Sequence, residues 1–328
     1  MSVERVDGGI SSMEKFTPPH PLDTAVLFLV FNRLDTTKEV FEAIIKAKPP
    51  RLYVAADGER ANKEGEAEKV KAVRDYIIQN IDWDCEVKTL FREENLGCKC
   101  AVSSAITWFF ENEEQGIILE DDCLPSQSFF WFCEELLEKY KNDDYVYLVS
   151  GDSRGPEFIN MKEDYGFCKY PMIWGWASWA RVWKSYDTEL MDWPSLANTL
   201  PSQISNYQPT IKFWEATFEK MYNKKIDTWD YQLCFLLLKN KANCIVPRVN
   251  LITNVGFGED ATHTLDSDSK AANRKRSEIN IPLKHYPNQE STIKINDYYD
   301  RNVFLLNSLI IRTINKLARK TVGKKNVL

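Results

Sequence analysis

Strand-like and helix-like segments alternate through the first half of the chain. Residues 25–31 form a continuous β-prone apolar run, and the apolar positions that follow share one helix face at Val40, Phe41, Ile44 and Ile45. A second strand and helix are predicted at 51–56 and 62–80. The alternation continues with strands at 85–91, 116–119 and 145–150 and helices at 98–111 and 129–140. Because parallel strands need crossover connections, this order predicts an α/β fold, a doubly wound and mostly parallel sheet with helices on both faces.

The second half of the chain is less regular. Residues 165–183 are rich in aromatic side chains, 211–223 and 230–239 have helical periodicity, and 249–264 has the composition of a mobile loop. Beyond residue 297 the pattern changes to a basic amphipathic segment. We therefore divide the chain into a flexible segment, a central domain in two halves and a C-terminal extension, at 1–20, 21–265 (21–150 and 151–265) and 266–328.

Composition narrows the class of protein. The chain has 328 residues, 44% of them hydrophobic, and a net charge of −6, so it can bury a large core and shows no basic motif for nucleic acid. Its eight cysteines lack the spacing of a zinc site and favour free thiols in a reducing compartment. The N-terminus lacks the apolar stretch of a signal peptide. These features predict a cytoplasmic protein.

The segment 301–325 combines Lys and Arg with apolar residues and contains no acid. A basic amphipathic helix of this kind can lie on an anionic membrane surface, which would make the protein peripheral to a membrane. The alternative is that its apolar face packs on the domain and its charged end is solvated.

Three consecutive carboxylates, Glu120, Asp121 and Asp122, follow the apolar run 117–119. Adjacent acids repel one another, so their placement at the end of a buried strand is costly unless a cation or several hydrogen-bond donors compensate them. In open α/β sheets, ligands bind outside the carboxyl ends of the strands, where these acids are expected. The alternative is a solvated acidic turn between a strand and a helix.

Further polar motifs occur at the predicted strand ends and loops. In chain order they are Phe31-Asn32-Arg33, Asp57-Gly58, Arg92 to Gly97, Glu120-Asp121-Asp122, Gly175 to Trp179, Thr228-Trp229-Asp230 and Gly256 to His263. In this order the motifs of residues 24–264 resemble those of the GT-A fold glycosyltransferases. The resemblance is to the N-acetylglucosaminyltransferase family that initiates complex N-glycans, of which this chain looks like a soluble microbial relative.

The resemblance implies roles in binding a nucleotide-sugar donor for the first half of the domain. Arg33 and Asp57 would contact the nucleotide, Arg92 and Asn95 would line its pocket, and Glu120 and Asp121 would contact the ribose or the waters of a metal ion. For each of them a helix cap, a turn or a surface ion pair is the alternative, and for Asn95 the turn is the favoured interpretation.

A divalent metal is also implied, with Asp122 as its ligand and His263 as a second candidate. Oxygen ligands suit Mn²⁺ or Mg²⁺ bridging two phosphates, which is consistent with the absence of a glycine-rich phosphate loop. Asp230 matches the catalytic base. The match is imperfect, because the eukaryotic enzyme has two acids after the tryptophan and this chain has Tyr231 in the second place.

The acceptor-binding residues are expected in the second half. They are Gly175, Trp176, Trp179, Glu259 and Asp260. Glu259 and Asp260, together with Asp152, are also held in reserve as bases. Aromatic faces stack on sugars and glycine permits close approach, but core packing explains the tryptophans equally well.

The sequence thus predicts an inverting, metal-dependent glycosyltransferase that uses a nucleotide sugar, UDP-linked, and a glycan or glycolipid acceptor. Two alternatives stay open. One is a catalytically inactive module that binds sugar nucleotides. The other is a sugar-phosphate nucleotidyltransferase, which would need a glycine-rich basic loop that residues 31–35 do not provide.

Overall fold

A computed structural model describes residues 16–155, 161–256, 274–285 and 289–303. Eight strands form the main sheet, namely β1 (Val26–Val30), β2 (Arg51–Ala56), β3 (Glu86–Phe91), β4 (Gln115–Glu120), β6 (Val146–Ser150), β7 (Tyr165–Cys168), β8 (Trp176–Trp179) and β9 (Asn243–Pro247). Two further strands, β5 (Cys123–Pro125) and β10 (Ile252–Asn254), pair antiparallel in a small second sheet.

The main sheet is mixed but mostly parallel. Its strand order is β3-β2-β1-β4-β8-β6-β9-β7. β8 pairs antiparallel with β4 and β6, and β7 pairs antiparallel with β9, whereas the remaining strands run parallel. The predicted α/β fold with a mostly parallel sheet is therefore confirmed.

Helices flank this sheet. The longer ones are α1 (Leu34–Ala47), α2 (Glu66–Gln79), α3 (Gly97–Phe110), α4 (Ser128–Tyr140), α8 (Gln208–Tyr222), α9 (Asp230–Asn240) and α10 (Gln289–Tyr298). Short helices α5 (Ala180–Trp183), α6 (Trp193–Leu196) and α7 (Leu200–Ile204) lie between β8 and α8, and a π-helical turn, Tyr299–Val303, follows α10.

The predicted elements of the first half match the observed ones to within a few residues. All five residues of β1 are buried, as expected for a central strand covered on both faces, and α1 buries the predicted Val40, Phe41 and Ile44. In the second half the sequence predicted helices but no strands. The segment expected to be a loop, 249–264, in fact contains β10, which is three residues long and fully buried.

The described part of the C-terminal extension packs on the β7 edge of the sheet. Ile295 is fully buried, and Asn296 accepts a hydrogen bond from the backbone of Lys169 at 2.9 Å. Asp300 is buried and accepts hydrogen bonds from Tyr170, Ser205 and Lys169. Within the described helices, none is long and apolar enough to cross a membrane. Nearly all of the predicted basic helix at 301–325 and most of the flexible segment 1–20 lie outside the described residues.

Candidate functional site

The strand order of the main sheet reverses between β1 and β4. The chain winds outward from β1 to β2 and β3 on one side, and β4 begins the other side. Arg33 lies just beyond the carboxyl end of β1, and Glu120, Asp121 and Asp122 lie at the carboxyl end of β4. In open α/β sheets this reversal leaves a crevice between neighbouring loops, which is a general location for ligands.

Arg33 bridges two of the three acids. Its Nη2 donates to Asp121, and to Oδ2 of Asp122 at 3.0 Å. Burial alone would lower the pKa of Arg33, but the charges and hydrogen bonds of the two aspartates outweigh it and hold the pKa above its ordinary value. The solvated acidic turn left open by the sequence is therefore not observed, because these carboxylates are largely buried and paired.

One arginine does not neutralise three carboxylates. Burial, followed by the charges of Asp122, Asp121 and Asp230, raises the pKa of Glu120 to about 8. Burial also raises the pKa of Asp121 to about 6, although Arg33 acts in the opposite direction. The carboxylates are thus held together against their mutual repulsion, and added positive charge would stabilise them.

The residues fit a divalent ion that takes few protein ligands. Oδ2 of Asp121 is buried without a hydrogen-bond partner, so an acceptor oxygen is available beside Asp122. Across the described ranges there is no group of three or more metal-ligating side chains. Mg²⁺ and similar hard ions are commonly held by one or two carboxylates together with substrate phosphates and water, which is the arrangement that Asp122 and Asp121 can provide.

Gly256 brings the backbone after β10 against the same acids. The Val255 amide donates to the Asp122 carbonyl at 2.8 Å, and the Gly256 amide donates to Asn254 Oδ1 at 2.9 Å. A Cβ on Gly256 would lie 2.3 Å from Asp122 Oδ2 and 2.7 Å from Arg33 Nη1. Only glycine fits here. The sequence analysis gave this residue no role, although it begins one of the motifs.

Asp57 and Asn95 connect the ends of β2 and β3. The Asp57 carboxylate accepts hydrogen bonds from the amides of Leu96 at 3.0 Å and Gly97 at 3.1 Å, and thereby caps the start of α3. Asn95 donates to the Gly58 carbonyl at 2.8 Å. Gly97 has a φ of +75°, which a turn at this point requires. The cap and the turn that the sequence left open as alternatives are both observed, and contacts with a nucleotide stay predictions.

Arg74 braces the same two strand ends and was missed by the sequence analysis. Its Nη2 donates to the carbonyls of Asp57 at 2.9 Å and Arg92 at 2.7 Å, and its guanidinium lies 5.1 Å from the centre of the Phe91 ring. Arg92 itself donates to Ser104 Oγ at 2.8 Å. Nothing in the sequence distinguished Arg74 from the other charged residues of α2.

Asp230 is the first residue of α9 and lies near the acids of β4. Its charge contributes to the raised pKa of Glu120, and Thr228 Oγ1 donates a hydrogen bond to it. Cys98 lies among the same groups, and burial, followed by the charges of Glu120 and Asp230, raises its pKa to about 12. Tyr231 packs edge-on against Trp214, with ring centres 6.1 Å apart. Asp230 is therefore the carboxylate that α9 contributes to the crevice.

The two tryptophans predicted to bind an acceptor lie in the core. Trp176 is 1% exposed and Trp179 is 3% exposed, and the Trp179 indole donates to the Leu137 carbonyl at 3.1 Å. Core packing, the alternative that the sequence left open, is observed for both rings, because β8 lies between β4 and β6 and all four of its residues are buried. Gly175 has a φ of +59° and accepts a hydrogen bond from the Gly151 amide at 2.8 Å. Glu259, Asp260 and His263 lie outside the described residues.

No family model matches the chain, and no curated protein matches it. Among solved structures, the chain is similar to a mannosyltransferase from Pyrobaculum calidifontis in complex with GDP-Man and Mn²⁺, with 13% identity, a TM-score of 0.38 and coverage of 71% of this chain and 73% of that one. It is also similar to a UDP-glucose pyrophosphorylase in complex with UDP-glucose, at 9% identity and a TM-score of 0.34, over 69% of this chain and 90% of that one.

A third similar structure is a CMP-2-keto-3-deoxy-manno-octonic acid synthetase in complex with CTP. It has 11% identity and a TM-score of 0.34, over 68% of this chain and 89% of that one. Scores of this size do not assign a function, which has to come from the site itself.

Proposed function

We propose that the chain is a GT-A fold glycosyltransferase that transfers a sugar from a nucleotide-diphosphate donor, UDP-linked, to a glycan or glycoconjugate acceptor with inversion. The observation that carries this proposal is the pairing of Arg33 with Asp121 and Asp122 at the reversal of strand order, with Gly256 against them. Asp230, near these acids but on a different element, supports it further.

In this proposal the end of β4 and the end of β1 hold the donor's diphosphate. Asp122, with Asp121 beside it, would hold Mn²⁺ or Mg²⁺, and the bound ion supplies positive charge that stabilises the departing diphosphate. Arg33 offers a planar fork of donors to phosphate or base and keeps the two aspartates in place. The backbone at Gly256 narrows the crevice from the side of β10.

Asp230 is the proposed base. Transfer with inversion needs a carboxylate that takes the proton of the acceptor hydroxyl and lies apart from the group that holds the diphosphate. The start of α9 provides that separation, and the hydroxyl of Thr228 fixes the orientation of the carboxylate. Tyr231 packs on Trp214 and does not replace the missing second acid. Asp57 and Asn95 brace the turn that lines the proposed nucleotide pocket, and Arg92, at the start of that turn, donates to Ser104.

A thermal-shift screen tests the donor site. The full chain is melted with UDP, GDP and CMP, with and without Mn²⁺, because a ligand that binds the native state stabilises it by about 2.7 kcal/mol at one hundred times its Kd. UDP with Mn²⁺ is expected to raise the melting temperature, and Asp122→Ala is expected to lose that shift. The matched control is Asp144→Ala, an exposed acid before β6, at the opposite edge of the sheet.

If Asp122→Ala binds UDP with Mn²⁺ as the wild type does, the donor site is wrongly placed. Slow hydrolysis of UDP-sugars by the wild-type chain, followed as release of UDP, separates an active transferase from an inactive binding module on the same fold.

A further inference from the structure

The second half of the chain places a basic cluster at the same edge of the sheet. Residues 151–154 follow the carboxyl end of β6, and Trp174 lies just before β8, which runs antiparallel to its neighbours. Both segments therefore meet at the edge where Glu120 ends β4. Because β8 separates β6 from β4, the two strand ends are roughly 10 Å apart, which is two strand spacings.

Arg154 is fixed at this edge by its side chain. Its Nε donates to Asp152 Oδ2 at 2.8 Å, and its guanidinium lies 4.2 Å from the centre of the partly exposed Trp174 ring. Asp152 is completely buried, and Nη1 of Arg274 approaches its other oxygen at 3.4 Å. Two arginines therefore approach this one buried carboxylate, and Arg154 is the one whose Nε is tied to it directly.

The backbone of Arg154 is held equally firmly by the C-terminal extension. Its amide donates to the Tyr299 hydroxyl at 3.0 Å, and a Cβ on the next residue, Gly155, would lie 2.3 Å from the Tyr298 ring. The preceding amide, of Ser153, donates to Asn250 Oδ1 at 3.2 Å. Four segments of the chain thus fix Arg154 in place, namely 151–154, 174, 250 and 298–299.

The Nη groups of Arg154 can accept a ligand. The Arg154 side chain is 25% exposed, and within the described ranges its two Nη groups make no hydrogen bond. An arginine whose Nε is tied to a buried carboxylate, and whose two Nη groups have no hydrogen bond among the described residues, offers a preoriented pair of donors. Such a pair matches the two oxygens of a carboxylate or phosphate.

We propose that Arg154, seated on Trp174 and Asp152, binds a carboxylate or phosphate group carried by the acceptor. This inference rests on the proposed function, since that function places the donor's diphosphate at the ends of β4 and β1, two and three strands away from β6. A group that reaches the end of β6 then belongs to the molecule that enters from the other side of the crevice. The acceptor class is accordingly an acidic glycan or a phosphorylated glycoconjugate.

Paired probes on the full chain test the anion site. Methyl glucuronide is compared with methyl glucoside, and glucose 6-phosphate with glucose, by isothermal titration. A charge-assisted bidentate contact predicts that the wild type binds each acidic member about ten- to a hundredfold more tightly than its neutral partner. Arg154→Gln is expected to bind the two members of each pair within about threefold of each other, since the charged contact is gone.

A second variant separates loss of the anion contact from loss of the fold. In Arg154→Lys the single ammonium group still pairs with Asp152, so the buried carboxylate stays neutralised, but no Nη groups remain for a ligand. It is expected to lose the preference for acidic probes with an unchanged melting temperature. The matched control is Arg181→Gln, which removes a similar arginine, 4.7 Å from the Trp179 ring, whose Nε and Nη2 donate to backbone carbonyls. It should keep the preference.

A further titration, with nucleotide sugars, shows whether the donor or the acceptor carries the anionic group. The affinities for UDP-glucuronate and UDP-glucose with Mn²⁺ should change equally, or not at all, in the Arg154 variants. A selective loss of UDP-glucuronate would overturn the assignment to the acceptor, and equal binding of acidic and neutral probes by the wild type would overturn the site altogether. If no nucleotide binds but the Arg154-dependent preference persists, the proposed function fails while the anion site stands.

Discussion

The two halves of the molecule contribute different polar groups to one edge of the same sheet. In the first half the end of β4 carries three acids, two of which are bridged by Arg33, and Asp57 and Arg92 at the neighbouring strand ends are tied to backbone or side-chain groups of the same half. In the second half the end of β6 carries Arg154 over Trp174, and its Nη groups make no hydrogen bond within the described ranges. The difference indicates a crevice divided between a part suited to a cation with diphosphate and a part suited to an anionic group.

The halves also differ in how they are built. The acids of the first half, Asp57 and Glu120 to Asp122, lie at the ends of their strands, so a short loop is enough to position them. The edge of the second half is assembled from distant segments, at 151–154, 174–175, 250–256 and 298–299. A site of the second kind depends on the C-terminal extension as much as on the sheet.

The strongest test of this division is Asp230→Asn. If the first half binds the donor and α9 supplies the base, this change should lower turnover by about 10²- to 10⁴-fold, the usual contribution of general-base catalysis, while UDP affinity stays the same. The measurement is kcat beside the UDP Kd. Asp227→Asn is the matched control, because Asp227 is an exposed acid of the same loop. If Asp230→Asn turned over normally, Asp230 would not be the catalytic base.

Gly256→Ala tests whether the two halves meet at the acids. The added Cβ would lie 2.3 Å from Asp122 Oδ2, so either the backbone after β10 or the carboxylate must move. Overpacking of this kind costs about 1–3 kcal/mol, and we expect it to appear mainly as weaker binding of UDP with Mn²⁺.

The control for Gly256 is Gly65→Ala, which introduces a side chain at a φ of +74° but has no atom within 4 Å of the new Cβ. It should cost about 1 kcal/mol of stability and leave UDP binding unchanged. If both variants bound UDP as the wild type does, the segment at Gly256 would not belong to the donor site.

The sequence predicted the first half well because its periodicity is local. Strand β1 is an uninterrupted apolar run and α1 has a clear apolar face, so Arg33 between them could be placed at the end of β1. Glu120, at the end of the apolar run of β4, could be placed at the same edge of the sheet. The sequence could not predict that Trp176 and Trp179 are buried. A strand of four residues that pairs on both sides and is buried throughout does not show an alternation of apolar and polar positions. Arg74 was missed because its partners are backbone carbonyls, and Arg154 because Trp174 and Tyr299, which fix it together with Asp152, are distant in sequence.

Arg74→Met tests how far the first half depends on one brace. The change leaves the carbonyls of Asp57 and Arg92 without their shared donor, and we expect a loss of about 1–2 kcal/mol in the free energy of unfolding together with weaker UDP binding. Lys71→Met, one turn earlier on α2, is the control, since Lys71 is 74% exposed and pairs only with Asp75. Equal effects of the two substitutions would show that Arg74 does not position the strand ends.

The smallest expected effect compares two acids, one in each half. Hydrogen bonds from Arg60 lower the pKa of Glu66 to about 2, and those from Lys224 and Lys99 lower the pKa of Glu189 to about 2. The two differ in exposure, because the Glu66 side chain is 5% exposed and that of Glu189 is 39% exposed. Solvent screens the second group more strongly, so Glu66 should contribute more to stability.

A lowered pKa in the folded state contributes stability above the ordinary value of the carboxyl group, and that stability is lost as the pH falls from about 4.5 towards 2. Glu66→Gln should therefore cost on the order of 1–2 kcal/mol at pH 7 and less at pH 3, and Glu189→Gln should cost less than Glu66→Gln at pH 7. Urea unfolding at both pH values measures this. Equal losses in the free energy of unfolding for the two variants at pH 7 would mean that burial does not make the Glu66 ion pair more stabilising than that of Glu189.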